Sequence, residues 1–188
     1  MAPKDSHLQT LKSKLTNFGA IRPQAWTKIL THLKVTELKF DESFNREIGS
    51  LVYVADGLLK EYDAQLRKKP AIVNFISAGN FLVTNKSHHS KYTKTIGSAK
   101  LVHVTFESLI PLFLKYNELK SIYEGISSNY ENGMAFRQLL LEENVATARI
   151  QLFINKYRTI LPLLKKKDIA NYTHIDYEYF IRIYGKQL

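Results

Sequence analysis

Two hydrophobic periodicities divide this chain, and they restrict its architecture before any motif is considered. Between residues 35 and 106 the apolar residues come in short β-compatible runs, at 35–40, 51–54, 58–62, 71–76 and 101–106, parted by turn residues such as Asp56-Gly57, Lys69-Pro70 and Ala78-Gly79-Asn80. On both sides of that block they recur at three- and four-residue steps instead. Such a chain gathers its strands in one block with helices before and after it, which is an α+β arrangement. Five or more short strands at close spacing predict a small antiparallel barrel or sandwich.

The helical parts are specific enough to place. A first helix is expected over 8–18, and a second in which Pro23 suits the first turn and Trp26, Ile29, Leu30 and Leu33 share a side. After the strand block, residues 107–116 predict a short helix and 119–142 a long one, with Leu119, Ile122, Ile126, Phe136 and Leu140 in register. The same stripe passes through Asn129 and Gly133. A stripe with one polar and one small member reads as a dimer seam whose register the asparagine sets, or as a helix packing on its own domain; the dimer is the preferred reading. Another amphipathic helix covers 149–164, interrupted near Pro162.

The last twenty-odd residues read as a helix-turn-helix. Two short helices crossing steeply need a small residue at the crossing and apolar residues sealing it, and Ala170 with Ile169, Ile175, Phe180 and Ile183 meets that need. Asp176 is the expected N-cap of the second helix, which leaves Tyr177, Glu178, Ile181 and Arg182 on or near the side that would meet a groove. Two residues depart from the pattern. His174 stands at a turn position that takes positive φ and usually glycine, and Thr173 stands where an aliphatic residue is expected. A helical hairpin with no nucleic-acid role is the competing reading.

Charge supports a polyanionic partner. The 188 residues carry a net charge of +10. From Asn144 to the end there are eight Lys/Arg against three Asp/Glu, so half of the excess lies in the last quarter. Between Asp63 and Glu107 no carboxylate occurs, while Arg67, Lys68, Lys69, Lys86, Lys91, Lys94 and Lys100 are all basic. A solvated basic surface accounts for that stretch at least as well as an anion site.

Several chemistries are set aside. The absence of cysteine removes disulfides, thiolate catalysis, iron–sulfur clusters and cysteine-type zinc sites. There is no Gly-rich phosphate loop, no G-x-S-x-G elbow and no H-E-x-x-H, and His88-His89 with His103 lack a carboxylate partner, so neither an enzyme nor a bound metal or cofactor is expected. No run of 18 apolar residues and no signal-peptide core appear, so the expectation is a soluble, cytoplasmic protein without a membrane partner.

The order helix, small barrel, long helix, helix-turn-helix resembles the CRP/FNR family of transcription regulators over nearly the whole chain. Three stretches carry the likeness: Val52-Tyr53-Val54-Ala55-Asp56-Gly57-Leu58-Leu59, Phe75-Ile76-Ser77-Ala78-Gly79-Asn80-Phe81, and Ala148-Arg149-Ile150 with Asp168-Ile169-Ala170-Asn171-Tyr172 and Arg182-Ile183. The last is similar to the effector-less, short-tailed members. The resemblance implies a cyclic-nucleotide-binding-like jelly-roll sensor over 1–117, a long dimerisation helix over 118–143 and a DNA-binding domain over 144–188. It implies a homodimer on duplex DNA, with Glu178 and Arg182 facing the major groove and Lys165, Lys166, Lys167 and Lys186 on phosphates. Tyr177, Ile181 and Tyr184 depart from the family's usual residues. The family's ribose-binding glutamate and phosphate-binding arginine are missing from 81–96, which makes cyclic AMP an unexpected ligand; an unknown small effector would be left to Phe81, Lys91, Thr93 and Lys94. The alternative is a dimeric interaction or scaffold protein of the same fold that has lost sequence-specific DNA binding.

Overall fold

The computed structural model describes residues 5–65, 69–86 and 90–185. Two helices, α1 (Asp5–Thr16) and α2 (Pro23–Leu30), precede six antiparallel strands: β1 (Lys34–Leu38), β2 (Ser43–Phe44), β3 (Leu51–Asp63), β4 (Ala71–Ser77), β5 (Phe81–Val83) and β6 (Lys91–Val104). Helices α3 (Phe106–Lys115), α4 (Asn117–Glu142), α5 (Ala146–Tyr157), α6 (Lys166–Tyr172) and α7 (Tyr177–Tyr184) follow, with a short 3-10 turn at Leu161–Leu163.

The sheet is organised by one long ribbon. β3 and β6 pair along nearly their whole length, from Leu51 opposite Val104 to Asp63 opposite Lys91. β1 pairs with the C-terminal half of β6 and β2 with its N-terminal half, while β5 flanks the start of β3 and β4 its end. The ribbon register slips on both sides of Asp56, so the two halves turn away from each other and the sheet rolls up. Asp56-Gly57 is therefore a bulge inside one strand and not a turn between two. Gly57 has φ +89°, and a Cβ there would lie 2.4 Å from the carbonyl oxygen of Ser98, so only glycine lets the paired strands bend this closely.

Two apolar clusters hold the chain together. The first packs Leu11 and Leu15 of α1, Ala25 and Ile29 of α2, Leu112 of α3 and one side of α4 onto Val52, Val54, Leu82 and Leu101. At its edge Arg22 makes a paired contact with Glu118, 2.7 Å on each side, joining the approach to α2 with the first turn of α4. The second cluster joins Leu58, Ile72 and Phe75 of the sheet to Leu140, Ile150, Phe153, Tyr157 and the buried sides of α6 and α7.

This corrects the reading of the long helix. Leu119, Ile122 and Ile126 are 5, 3 and 1 % exposed within a single chain because they belong to the barrel's own core. Phe136 packs against Tyr157 at the α4–α5 junction, with Lys156 Nζ 5.2 Å above its ring. Asn129 is exposed and Gly133 has open space beside it. The stripe is a core-packing face that continues into a cleft. Among the described residues no helix is long and apolar enough to cross a membrane.

Candidate functional site

Helices α6 and α7 meet through a four-residue link whose two unusual residues are both accommodated. His174 takes φ 53°, the left-handed conformation expected at that position. Thr173 is fully buried where an aliphatic side chain was expected, and its hydroxyl donates to the Ile169 carbonyl at 2.8 Å, so burial leaves no polar atom stranded. Two arginines complete the end of α6. Arg149 donates to the Thr173 carbonyl at 3.0 Å and Arg137 to that of Tyr172 at 3.1 Å, placing positive charge where the helix leaves carbonyls unpaired. Asp176 caps α7 by accepting from the backbone N–H groups of Glu178 and Tyr179, at 3.0 and 3.1 Å.

The helix α7 has a buried side and an open side. Phe180 and Tyr184 face inward and stack at 4.8 Å, with Ile169, Ala170 and Ile175 closing the joint. Tyr184 is therefore a core residue and not part of the open side. Tyr177, Glu178, Ile181 and Arg182 all lie on the exposed side. Tyr179, which the sequence did not single out, is there too, and the Arg182 guanidinium lies 5.5 Å from the centre of its ring. No Glu178–Arg182 ion pair forms among the described residues. Of the lysines at the start of α6, Lys165 lies over Phe40 of the β1–β2 loop and Lys166 over Tyr184, with ammonium-to-ring distances of 5.4 and 5.7 Å, while Lys167 is exposed. Lys186, like His88 and His89, lies outside the described residues.

This pair of helices is docked on the sheet. The Asn171 side chain accepts from the Ile72 backbone N–H at 2.6 Å and donates to the Pro70 carbonyl at 3.1 Å, so its amide stands in for a neighbouring strand along the β4 edge. Lys60 reaches Asp168 at 3.4 Å beside it. Beneath them Tyr172 and Tyr157 join hydroxyls at 3.1 Å, and burial pushes the Tyr157 phenol up to about 12.

The inside of the barrel is occupied by its own side chains. Glu61 of β3 is fully buried and accepts from both Arg46 and Tyr130 of α4. Arg46 also donates to the Val83 carbonyl and to the Thr84 hydroxyl, each at 3.0 Å. Burial works against the charge on Arg46, but Glu61 and Tyr130 outweigh it and its pKa is raised; burial also pushes the Tyr130 hydroxyl upward. The four residues expected to form an effector pocket do not converge. Strand alternation turns Thr93 inward and Lys94 outward, where Lys94 meets Asp41 at 3.0 Å. Phe81 packs against Phe18 and Tyr53 in the first core. Only Lys91, with a pKa lowered chiefly by burial, stands near Glu61 beside the unpartnered hydroxyl of Thr93.

No family model and no curated protein matches the chain. Solved structures do match it. FixK2 from Bradyrhizobium japonicum has a TM-score of 0.72 over 82 % of this chain and 83 % of its own, at 16 % identity. CLP, the c-di-GMP-responsive global regulator of Xanthomonas campestris, has a TM-score of 0.66 over 88 % and 91 %, at 14 % identity. A protein of Eubacterium rectale assigned to the crp/fnr family of transcriptional regulators has a TM-score of 0.66 over 88 % and 83 %, at 12 % identity. At such identities the likeness is one of fold: an antiparallel cyclic-nucleotide-binding-like roll with flanking helices and one long helix.

Proposed function

We propose that this chain is a cytoplasmic transcription regulator that binds duplex DNA as a homodimer, reading bases with α7 and carrying a sensor barrel that does not take cyclic AMP. The observation that carries the reading is the division of α7: Phe180 and Tyr184 are buried while Tyr177, Glu178, Ile181 and Arg182 are presented together, next to Lys165, Lys166 and Lys167. Each group suits one part of a duplex. The Glu178 carboxylate accepts from cytosine N4, the Arg182 guanidinium bridges guanine O6 and N7, Ile181 meets a thymine methyl, and the lysines take phosphates. The likeness in fold to regulators supports the same reading.

The dimer in this proposal uses the solvent side of α4, where Ser121, Ser128, Ala135 and Leu139 are exposed, and not the stripe already committed to the barrel. Two copies then set their α7 helices about 34 Å apart, one turn of duplex. In functional terms 1–117 is the sensor, 118–143 the dimer helix and 144–188 the DNA-binding part. Inside the sensor, Arg46 and Glu61 hold the space and polar groups that an anionic nucleotide would need.

Selection from a random duplex library tests the base-reading claim. The parent should enrich two half-sites about one turn apart, and Arg182→Ala should lose discrimination at one position per half-site by about 1–3 kcal/mol. An unchanged preference in Arg182→Ala would refute the assignment of that side chain.

A further inference from the structure

A cleft of about 460 Å³ opens between β4, the turn into β5, the middle of α4 and the end of α5. Its size falls within the range of small-ligand sites. It shares Tyr130 with the Arg46–Glu61 group of the barrel, but none of its lining belongs to the exposed side of α7. Side-chain amides dominate its walls: Asn74 and Asn80 from the sheet side, Asn129 and Asn132 from α4. Ser77 and Thr159 add hydroxyls, and among the described residues Lys156 is the single charged group of the lining, with no carboxylate beside it.

Asn74 is the informative member. Its side chain makes no hydrogen bond among the described residues, and its polar atoms are not sealed in the core, so in the cleft lining they are left to solvent or a ligand. Gly133 is the other. It sits in the wall with nothing within 4 Å of where a Cβ would be, so a longer side chain can be introduced there without a clash, in mid-helix where glycine is otherwise unfavourable.

The lining selects a chemical class. A cationic ligand would find Lys156 and no counter-charge. A nucleobase would want an exposed ring face for stacking, but Phe75, Tyr130 and Tyr157 are 6, 5 and 7 % exposed, and Phe81 packs its ring against Phe18 and Tyr53. Several amides pair with neighbouring hydroxyls, because each offers a donor and an acceptor side by side, and one ammonium holds one anionic group. We propose that this cleft is a binding site for a small hydroxyl-rich anion of the sugar phosphate class. The proposal is independent of DNA binding, since none of its residues belongs to α6 or α7.

Calorimetric titration of the full chain with glucose 6-phosphate and ribose 5-phosphate tests it, with glucose, ribose and inorganic phosphate as separate arms. At least one sugar phosphate should bind with Kd below about 1 mM, and the free sugars and phosphate at least about tenfold more weakly. Lys156→Gln should weaken binding about tenfold or more. Gly133→Gln should abolish it without lowering the unfolding temperature, because it fills the cleft at an open helical position. No binding of either sugar phosphate at about 10 mM overturns the proposal. So does binding that survives Gly133→Gln, or phosphate alone binding as tightly as its sugar ester.

Discussion

Glu61 is a fully buried carboxylate whose one cationic hydrogen-bond partner among the described residues, Arg46, comes from the segment between β2 and β3, and the pair ties that segment to β5 and α4 through Val83, Thr84 and Tyr130. Removing one charge of such a pair leaves the other stranded, whereas removing both does not. Arg46→Met should therefore cost about 3–5 kcal/mol in chemical denaturation, and Arg46→Met combined with Glu61→Leu should cost less than the single change. A double variant less stable than Arg46→Met would show that the charges are not what the site depends on. Nothing in the local pattern announced this pair, since Arg46 sits in a polar stretch and Glu61 in a strand whose polar members normally face water. His174 and Thr173 were legible as departures from a turn pattern. Their accommodation was not, because it depends on backbone conformation and on a carbonyl one turn away.

At the scale of elements, helices followed from three- and four-residue spacing, and α2, α3, α4 and α7 begin within two residues of where the pattern placed them. Strands were harder to bound. The first ten residues of β6, Lys91 to Lys100, are mostly lysines, threonines and small residues with Tyr92 and Ile96 among them, so the stretch carries little apolar signal although Thr93 and Thr95 are buried. β3 looked like two strands because a glycine that bends a ribbon and a glycine that ends a strand are the same letter. The α4 stripe showed that a helix buries one side but not against what. Asn171 is the element-level link that sequence could not supply, since its partners lie about 100 residues away at Pro70 and Ile72. Asn171→Ala leaves the Ile72 N–H and the Pro70 carbonyl without partners. It should lower stability by about 1–3 kcal/mol and raise amide exchange at Ile72 well above that of the inner β3–β6 pairs. Unchanged exchange at Ile72 would mean that the amide does not guard the β4 edge.

For the whole molecule, the second core is the feature that matters, because Leu58, Ile72 and Phe75 of the sheet share it with α5, α6 and α7. The barrel and the terminal helices are thus packed as one body within each chain, and what remains free on α4 is its solvent side. Leu139, 65 % exposed there, is the residue to change. In sedimentation at micromolar concentration the parent should run as a dimer and Leu139→Lys as a monomer with an unchanged circular dichroism spectrum. A parent that is monomeric, or a variant that stays dimeric, would remove this face from the account.

The central claim, that the basic C-terminal quarter and the open side of α7 serve duplex DNA, meets its most direct test in a titration of the parent chain with duplex at several salt concentrations. The account predicts that the logarithm of the binding constant falls linearly with the logarithm of salt concentration, and that Lys167→Gln reduces the slope by about 1. Affinity for no duplex, or an affinity indifferent to salt, would contradict it.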